Sequence, residues 1–467
     1  MKKAVIIIFL ILALVATVMP FCASAAERAD IVIRGGTVVT MDGERRVIEN
    51  GAVAVRADRI VAVGSSSEIA AKYRAVRVVN AAGKIVLPGL INTHTHAPMS
   101  LFRGVADDLV LQEWLQKYIF PAEAKNVDET FVRWGTRLAC LEMIRGGITT
   151  YVDMYYFEDA IADETARAGM RAVLGETLLD FPAPDNKTWE AGMNYMEKFA
   201  ARWKGHALIT PAIAPHAPYT VSTEHLEQAH KFSVKHGVPL VIHIAEDQAE
   251  MKTIREKYNA TPVAYLDRIG VLDERVIAAH MVWPSADDIK TLVSRSVGVA
   301  HCPQSNMKLA AGVAPVPRML KAGVAIGLGT DGAASNNDLN LWEEIDTAAK
   351  LHKLVSNDPT VINAREALEM ATIAGARAIH LDKEIGSLET GKRADLIIAG
   401  ARGFHQIPLY NVYSQLVYAT KSSDVETVII NGRVVMSRGR VLTINGPSVR
   451  AKANWYRDRI RKSVASN

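Results

Sequence analysis

Ile85-Val86-Leu87-Pro88-Gly89-Leu90-Ile91-Asn92-Thr93-His94-Thr95-His96 is the stretch on which the architecture turns. Its apolar part reads as a buried strand over residues 85–93, and it closes on two imidazoles two positions apart. Residues i and i+2 of a strand point to one face. His94 and His96 could therefore grip one cation from one side. Alone, the spacing more often marks a hydrogen-bonded or exposed histidine pair. Further strand-like runs follow at 148–154, 171–178, 207–214, 239–245, 276–282, 297–301 and 324–330, separated by amphipathic helical stretches. Strands alternating with helices across 85–384 predict an α/β protein built on a TIM-type (β/α)8 barrel. In that fold, chemistry sits at the carboxyl ends of strands. Here those ends carry His94 and His96, His216, His243, His280, His301 and Asp331.

The flanks have a different texture. Residues 26–84 hold short β-rich runs such as Ile31-Val32-Ile33, Ala52-Val53-Ala54-Val55 and Ile60-Val61-Ala62-Val63, broken by Asp42-Gly43, Asp58 and Gly64. That pattern predicts a meander of antiparallel strands. It returns over 385–445, where Asn431-Gly432 between apolar runs is a strong hairpin signal. Both chain ends are thus expected to form one small β-sandwich, with 446–467 as an outer C-terminal helix.

Residues 1–25 stand apart. Lys2-Lys3, an apolar stretch to Met19 and the small residues Ala23-Ser24-Ala25 follow the order of a secretory signal peptide. The expected location is therefore exported and periplasmic, with an uncleaved membrane anchor as the alternative. The rest of the chain is close to neutral: 54 basic and 50 acidic residues give +4, of which Lys2 and Lys3 contribute two. No dense basic cluster appears, so nucleic acid is excluded as a partner. Cys22 leaves with the leader; Cys140 and Cys302 lie in apolar segments and read as buried thiols.

Three imidazoles and a carboxylate, His94, His96, His243 and Asp331, suit Zn2+, with Fe2+ as a substitute. One further coordination position would remain for water, which bound Zn2+ acidifies to a pKa of about 7. Asp331 ends a run that should be buried, so its carboxylate needs a partner; locally, a helix N-cap reads equally well. Glu246, three past His243, can reach a substrate nitrogen above the metal as general acid/base, although alone it would pass for a solvated glutamate opening a helix. His280 is assigned to orienting or polarising the water rather than to core packing. His301 divides evenly between support and packing. His216, in a proline-stiffened loop, is a substrate contact.

Together these residues resemble the amidohydrolase superfamily, and most closely its branch of 5-methylthioadenosine/S-adenosylhomocysteine deaminases, with chlorohydrolase-like relatives. The motifs that carry the resemblance are 88–99, Leu101-Phe102-Arg103-Gly104, Glu113-Trp114-Leu115, Pro215-His216-Ala217-Pro218-Tyr219, His243-Ile244-Ala245-Glu246 and 329–337. The resemblance implies one metal per subunit on His94, His96, His243 and Asp331, with Glu246, His280 and Asp331 in proton transfer. It places His216 against a purine and Glu123 on the ribose hydroxyls. It also implies a small nucleoside or heterocyclic substrate and leaves a homo-oligomer open. One departure stands out: relatives that take S-adenosylhomocysteine carry an arginine just after the third strand, where this chain has Glu176, and Lys187 is the nearest cation. A reversed charge there would favour methylthioadenosine or adenosine. The competing readings are hydrolysis of another amino- or halo-substituted nitrogen heterocycle, and a non-catalytic periplasmic binding protein.

Overall fold

The computed structural model describes residues 26–464; the proposed signal segment, 1–25, lies outside the described residues. The N-terminal strands are β1 (Glu27–Val39), β2 (Val47–Arg56), β3 (Arg59–Ser65), β4 (Tyr73–Asn80) and β5 (Lys84–Pro88). Eight barrel strands follow: β6 (Leu90–Thr95), β7 (Ile148–Tyr155), β8 (Arg171–Leu178), β9 (Ile209–Pro215), β10 (Leu240–Ile244), β11 (Val276–His280), β12 (Gly298–His301) and β13 (Ala325–Leu328). The chain returns through β14 (Leu396–Gly400), β15 (Val425–Ile430), β16 (Arg433–Ser437) and β17 (Arg440–Val441).

Strands β6 to β13 form one parallel sheet in sequence order, rolled into the barrel. The other nine form a second sheet from both ends of the chain, in the order β17-β16-β15-β14-β5-β1-β2-β3, with β4 also on β1. The joint between the ends is β5 against β14, with Val86 opposite Ile398 and Pro88 opposite Leu396. Alternation along β1 and β2 sends Ile31, Ile33, Val53 and Val55 into one apolar cluster and Val32, Ala52 and Ala54 into another. This sheet thus has a core on each face, as period-two patterning requires.

Two expectations need correction. The run read as one strand, 85–93, is two: it breaks at Gly89, so the barrel begins at Leu90 rather than Ile85. The break is steric, because a Cβ at Gly89 would lie 2.1 Å from Thr149 Oγ1. The N-terminal strands are also not a pure antiparallel meander. Helix Ser66–Lys72, closed by a Ser65–Glu68 capping box, reverses the direction, and both β4 and β5 run parallel to β1. Within the expected C-terminal part, 385–445, short helical turns at Phe404–Gln406 and Val412–Ala419 interrupt the strands.

The sheet and the barrel are riveted by one buried ion pair. Arg171 Nε at the start of β8 meets Asp395 Oδ2 at 2.7 Å, and the guanidinium also reaches Ala207 O and Asn431 Oδ1. On the far side, helix Gly446–Val464 buries Tyr456 edge-on against Phe131. Among the described residues no helix is long and apolar enough to cross a membrane.

Candidate metal centre and active site

The carboxyl ends of the barrel strands bring the histidines together. His94 lies within β6 with His96 just past it, His243 is in β10, and His280 closes β11. Ring centroids of His94 lie 4.9 Å from His96, 5.0 Å from His243 and 5.4 Å from His280. Asp331 Oδ1 sits 3.2 Å from His96 Nε2 and 3.5 Å from His94 Nε2. The donors form two groups that share His94: one with His96 and Asp331, the other with His243 and His280. Geometry thus joins all four expected ligands and adds His280 to their neighbourhood.

Three of the four imidazoles, those of His96, His243 and His280, are turned the same way by the outer nitrogen. His96 Nδ1 donates to Met154 O, His243 Nδ1 to His216 O at 2.8 Å, and His280 Nδ1 to Asn306 Oδ1 at 2.9 Å. A proton fixed on Nδ1 leaves the Nε2 lone pair facing inward, the arrangement metal-binding histidines use. Both His94 nitrogens and His280 Nε2 are buried without a hydrogen-bond partner. Burial drives the Asp331 carboxyl up, but His94 and His96 beside it outweigh that and hold it well below the usual range. The same carboxylate keeps His96 up at about 9 against its burial, while burial lowers His94 to about 4. The unpartnered nitrogens of His94 and His280, gathered beside His96, His243 and the Asp331 carboxylate, make a donor set open to a cation. The donor set fits a divalent transition ion.

Asp331 is aimed by its other oxygen. Oδ2 accepts from Ser305 Oγ at 2.6 Å and Ser335 Oγ at 2.8 Å, while Gly332 N–H holds Oδ1 at 2.7 Å. Ala245, His280 and Asp331 all have positive φ, +54°, +71° and +59°. Left-handed backbone at three strand ends is strain concentrated at one site.

Beside these donors opens a cavity. Its lining includes His216, Glu246, His280, Asp331, Glu123 and Thr177. Glu246 is buried, and that burial, with Asp331 and Asp247 nearby, pushes its carboxyl well above the usual range. Its Oε1 lies 3.5 Å from His280 Nε2. Glu123, also in the lining, accepts from Tyr155 OH through Oε1 at 2.7 Å. The helical segment 111–126, with a π-turn over Trp114–Ile119, supplies an apolar wall of Leu111, Trp114, Leu115 and Phe120. His216 Nδ1 pairs with Thr220 Oγ1 at 3.0 Å, and burial lowers it to about 3, leaving a neutral ring against the cavity.

Some expectations change here. Glu176 does not line the cavity; Thr177 does. The Glu176 carboxyl is buried, accepts from Glu158 N–H and Asn186 Nδ2 at 3.0 and 2.9 Å, and is pushed well above its usual range by burial and Asp185. Enclosed in this way and outside the cavity lining, it does not face a substrate carboxylate. Lys187 gives its ammonium to Ala183 O and Pro184 O. His301 pairs with the buried His352, Nε2 to Nε2 at 3.1 Å, and is not among the grouped donors. Ser305, Asn306, Ser335 and Asp153, whose Oδ1 accepts from Ala97 N–H at 2.6 Å, were not foreseen. A charged residue inside the apolar run 148–154 was the available signal for Asp153. Cys140 and Cys302 are buried free thiols.

Fold and site together define a hydrolase-type (β/α)8 barrel with a histidine–aspartate centre at its carboxyl rim. The chain belongs to the amidohydrolase family, which it matches over residues 85–435; a short stretch, 51–75, matches the imidazolonepropionase-like composite domain of bacteria. It is 49% identical over 430 residues to the 5-methylthioadenosine/S-adenosylhomocysteine deaminase of Syntrophobacter fumaroxidans, covering 92% of this chain and 98% of that one. It is 44% identical over 423 residues to the 5'-deoxyadenosine deaminase of Methanosarcina acetivorans, covering 90% and 96%. The structure superposes on that of an adenosine deaminase from Xanthomonas campestris with bound zinc, with a TM-score of 0.92 and 38% identity over 94% of this chain and all of the other.

Proposed function

We propose that this chain is a metal-dependent aminohydrolase that removes the exocyclic amino group of adenine nucleosides as ammonia. Methylthioadenosine, 5′-deoxyadenosine and adenosine are the favoured substrates. The observation that carries this is the convergence of His94, His96, His243 and Asp331 beside the buried Glu246, in a cavity that Glu123 also lines. The names of its relatives support the substrate class.

His94, His96, His243 and Asp331 would hold one Zn2+ per subunit, with Fe2+ as the alternative. Bound there, the ion would act as Lewis acid and lower the pKa of water to about 7. Glu246 donates its proton to the ring nitrogen next to the amino-bearing carbon. Asp331 and His280 orient the attacking water and take its proton, which then leaves with the amine. His216 packs on the purine and Glu123 accepts from the ribose hydroxyls. The 5′ substituent meets Leu111, Leu115 and Phe120, with Lys187 committed to its own loop. That wall suits a small neutral group better than the amino-acid tail of S-adenosylhomocysteine.

Residues 1–25 are proposed as a cleaved export signal, so that the mature protein starts at Ala26 in the periplasm. A full-length chain in the membrane fraction would instead favour the anchored form. The functional test is ammonia release from methylthioadenosine, 5′-deoxyadenosine, adenosine, S-adenosylhomocysteine and chloro- and amino-triazines, with elemental analysis of the same preparation. Turnover of the neutral adenine nucleosides by protein carrying one equivalent of metal is the expected result. Turnover of triazines alone, or full activity after complete metal removal, overturns it.

A further inference from the structure

Glu250 is buried yet does not line the cavity. It stands in the first turn of helix Gln248–Tyr258, whose N-cap, Asp247, accepts from the Glu250 N–H at 2.7 Å. Its side chain turns back. Oε1 accepts from Ala245 N–H at 2.9 Å and Oε2 from Glu246 N–H at 2.8 Å. One carboxyl group thus takes the two consecutive amides that lead from the end of β10 into Glu246.

Those amides belong to strained backbone. Ala245 has φ +54°, a left-handed conformation that a residue with a Cβ adopts only under strain. Its carbonyl is tied as well, accepting from Val282 and Trp283 N–H at 2.9 and 3.1 Å just beyond His280. The peptide is therefore clamped on one side by Glu250 and on the other by the strand end that carries His280. Asp247 alone would suffice to start the helix, so capping does not account for the bidentate grip.

We propose that Glu250 is a positioning residue for deamination: by holding both amides it fixes the direction in which Glu246 leaves β10, and so sets the Glu246 carboxyl 3.5 Å from His280 Nε2. This rests on the role given to Glu246 above. In Glu250→Gln one acceptor oxygen becomes an NH2 group facing an N–H, so one of the two amides loses its partner. A misplacement of about 1 Å at a reacting group lowers turnover about 10²-fold.

The test is a double-mutant cycle on the metal-loaded enzyme with methylthioadenosine, using Glu250→Gln, Glu246→Gln and the pair. Glu250→Gln should lower kcat about 10- to 100-fold with KM and metal content little changed. It should lower kcat no further in the Glu246→Gln background. An equal loss in both backgrounds, wild-type kcat in Glu250→Gln, or a loss confined to KM would overturn the proposal. Wild-type kcat in Glu246→Gln would be a separate failure, removing the general acid itself and with it anything for Glu250 to position. Glu250→Asp, one methylene shorter, is carried through the same cycle and must show the same coupling should the glutamine variant not fold.

Discussion

Removing the hydroxyls of Ser305 and Ser335 should loosen the cation site without touching a ligand. Both donate to Asp331 Oδ2, at 2.6 and 2.8 Å, which leaves Oδ1 facing His94 and His96. A hydrogen bond to a charged group contributes about 1.5–3 kcal/mol, and each 1.4 kcal/mol is a factor of about ten in affinity. Ser305→Ala should therefore weaken Zn2+ binding by about ten- to a hundred-fold, the range also seen when groups supporting metal ligands are removed. The upper end applies if the metal-free carboxylate relaxes into another rotamer, because only the difference between bound and free states counts. Ser335 has one proton and two acceptors, Asp331 Oδ2 and Gly332 O at 3.1 Å. Ser335→Ala should thus cost less than Ser305→Ala. The assay is competition against a chromophoric chelator, with thermal unfolding of the metal-free proteins in parallel. A doubly substituted protein that binds Zn2+ as tightly as wild type refutes the reasoning. A fall in stability with affinity intact would assign the hydroxyls to the fold alone.

Burial, partly offset by the Tyr155 hydroxyl, holds Glu123 up to about 7. A ribose diol binds the ionised form, so kcat/KM for adenosine should rise more steeply as pH climbs through 7 than for 2′,3′-dideoxyadenosine or in Glu123→Gln, where ionisation of the attacking water alone remains. Arg171→Met strands the Asp395 carboxylate, 3% exposed, between barrel and sheet; the expected loss is about 3–5 kcal/mol, recovered largely by adding Asp395→Leu, as chemical denaturation would show. At Gly298 a Cβ would lie 1.8 Å from the Ala378 carbonyl oxygen. Backbone cannot yield as a side chain does, so Gly298→Ala should destabilise by about 3 kcal/mol or more; an unchanged melting temperature would contradict that packing.

The sequence revealed the barrel because parallel strands buried on both faces read as near-continuous apolar runs, and because their ends carried imidazoles. It revealed the candidate site for the same reason: the expected ligands His94, His96, His243 and Asp331, and His280 beside them, each sit where such a run stops. What it hid depends on contacts between strands. Gly89 looked like part of one run because its need for a missing side chain comes from Thr149, 60 residues away. Glu176 looked like a charge facing substrate because nothing local shows that Asn186 and the Glu158 amide enclose it. Ser305, Asn306 and Glu250 look like ordinary polar residues of helical stretches, and only the fold shows which atom each one holds.

The seam that closes the barrel explains why the scattered ligands meet. Strand β13 ends at Leu328, and beyond it the join to β6 is made by unusual means. Asn92 Nδ2 donates to Thr330 Oγ1 at 2.8 Å, and Thr330 N–H returns to Asn92 Oδ1 at 3.0 Å. Asp331 N–H then bonds His94 O at 3.0 Å, and Thr95 Oγ1 donates to Asp331 O at 2.9 Å. Ligand and closure are therefore the same residues: the backbone of Asp331 is tied to the backbone of His94 while their side chains face one another. Gly329 permits this approach, since a Cβ there would lie 2.9 Å from His94 Cβ. Barrel closure alone thus places the carboxylate against the N-terminal pair of imidazoles. The parallel register of β10 with β11, pairing His243 with Ala279 and Ile244 with His280, sets the other two rings from across the barrel.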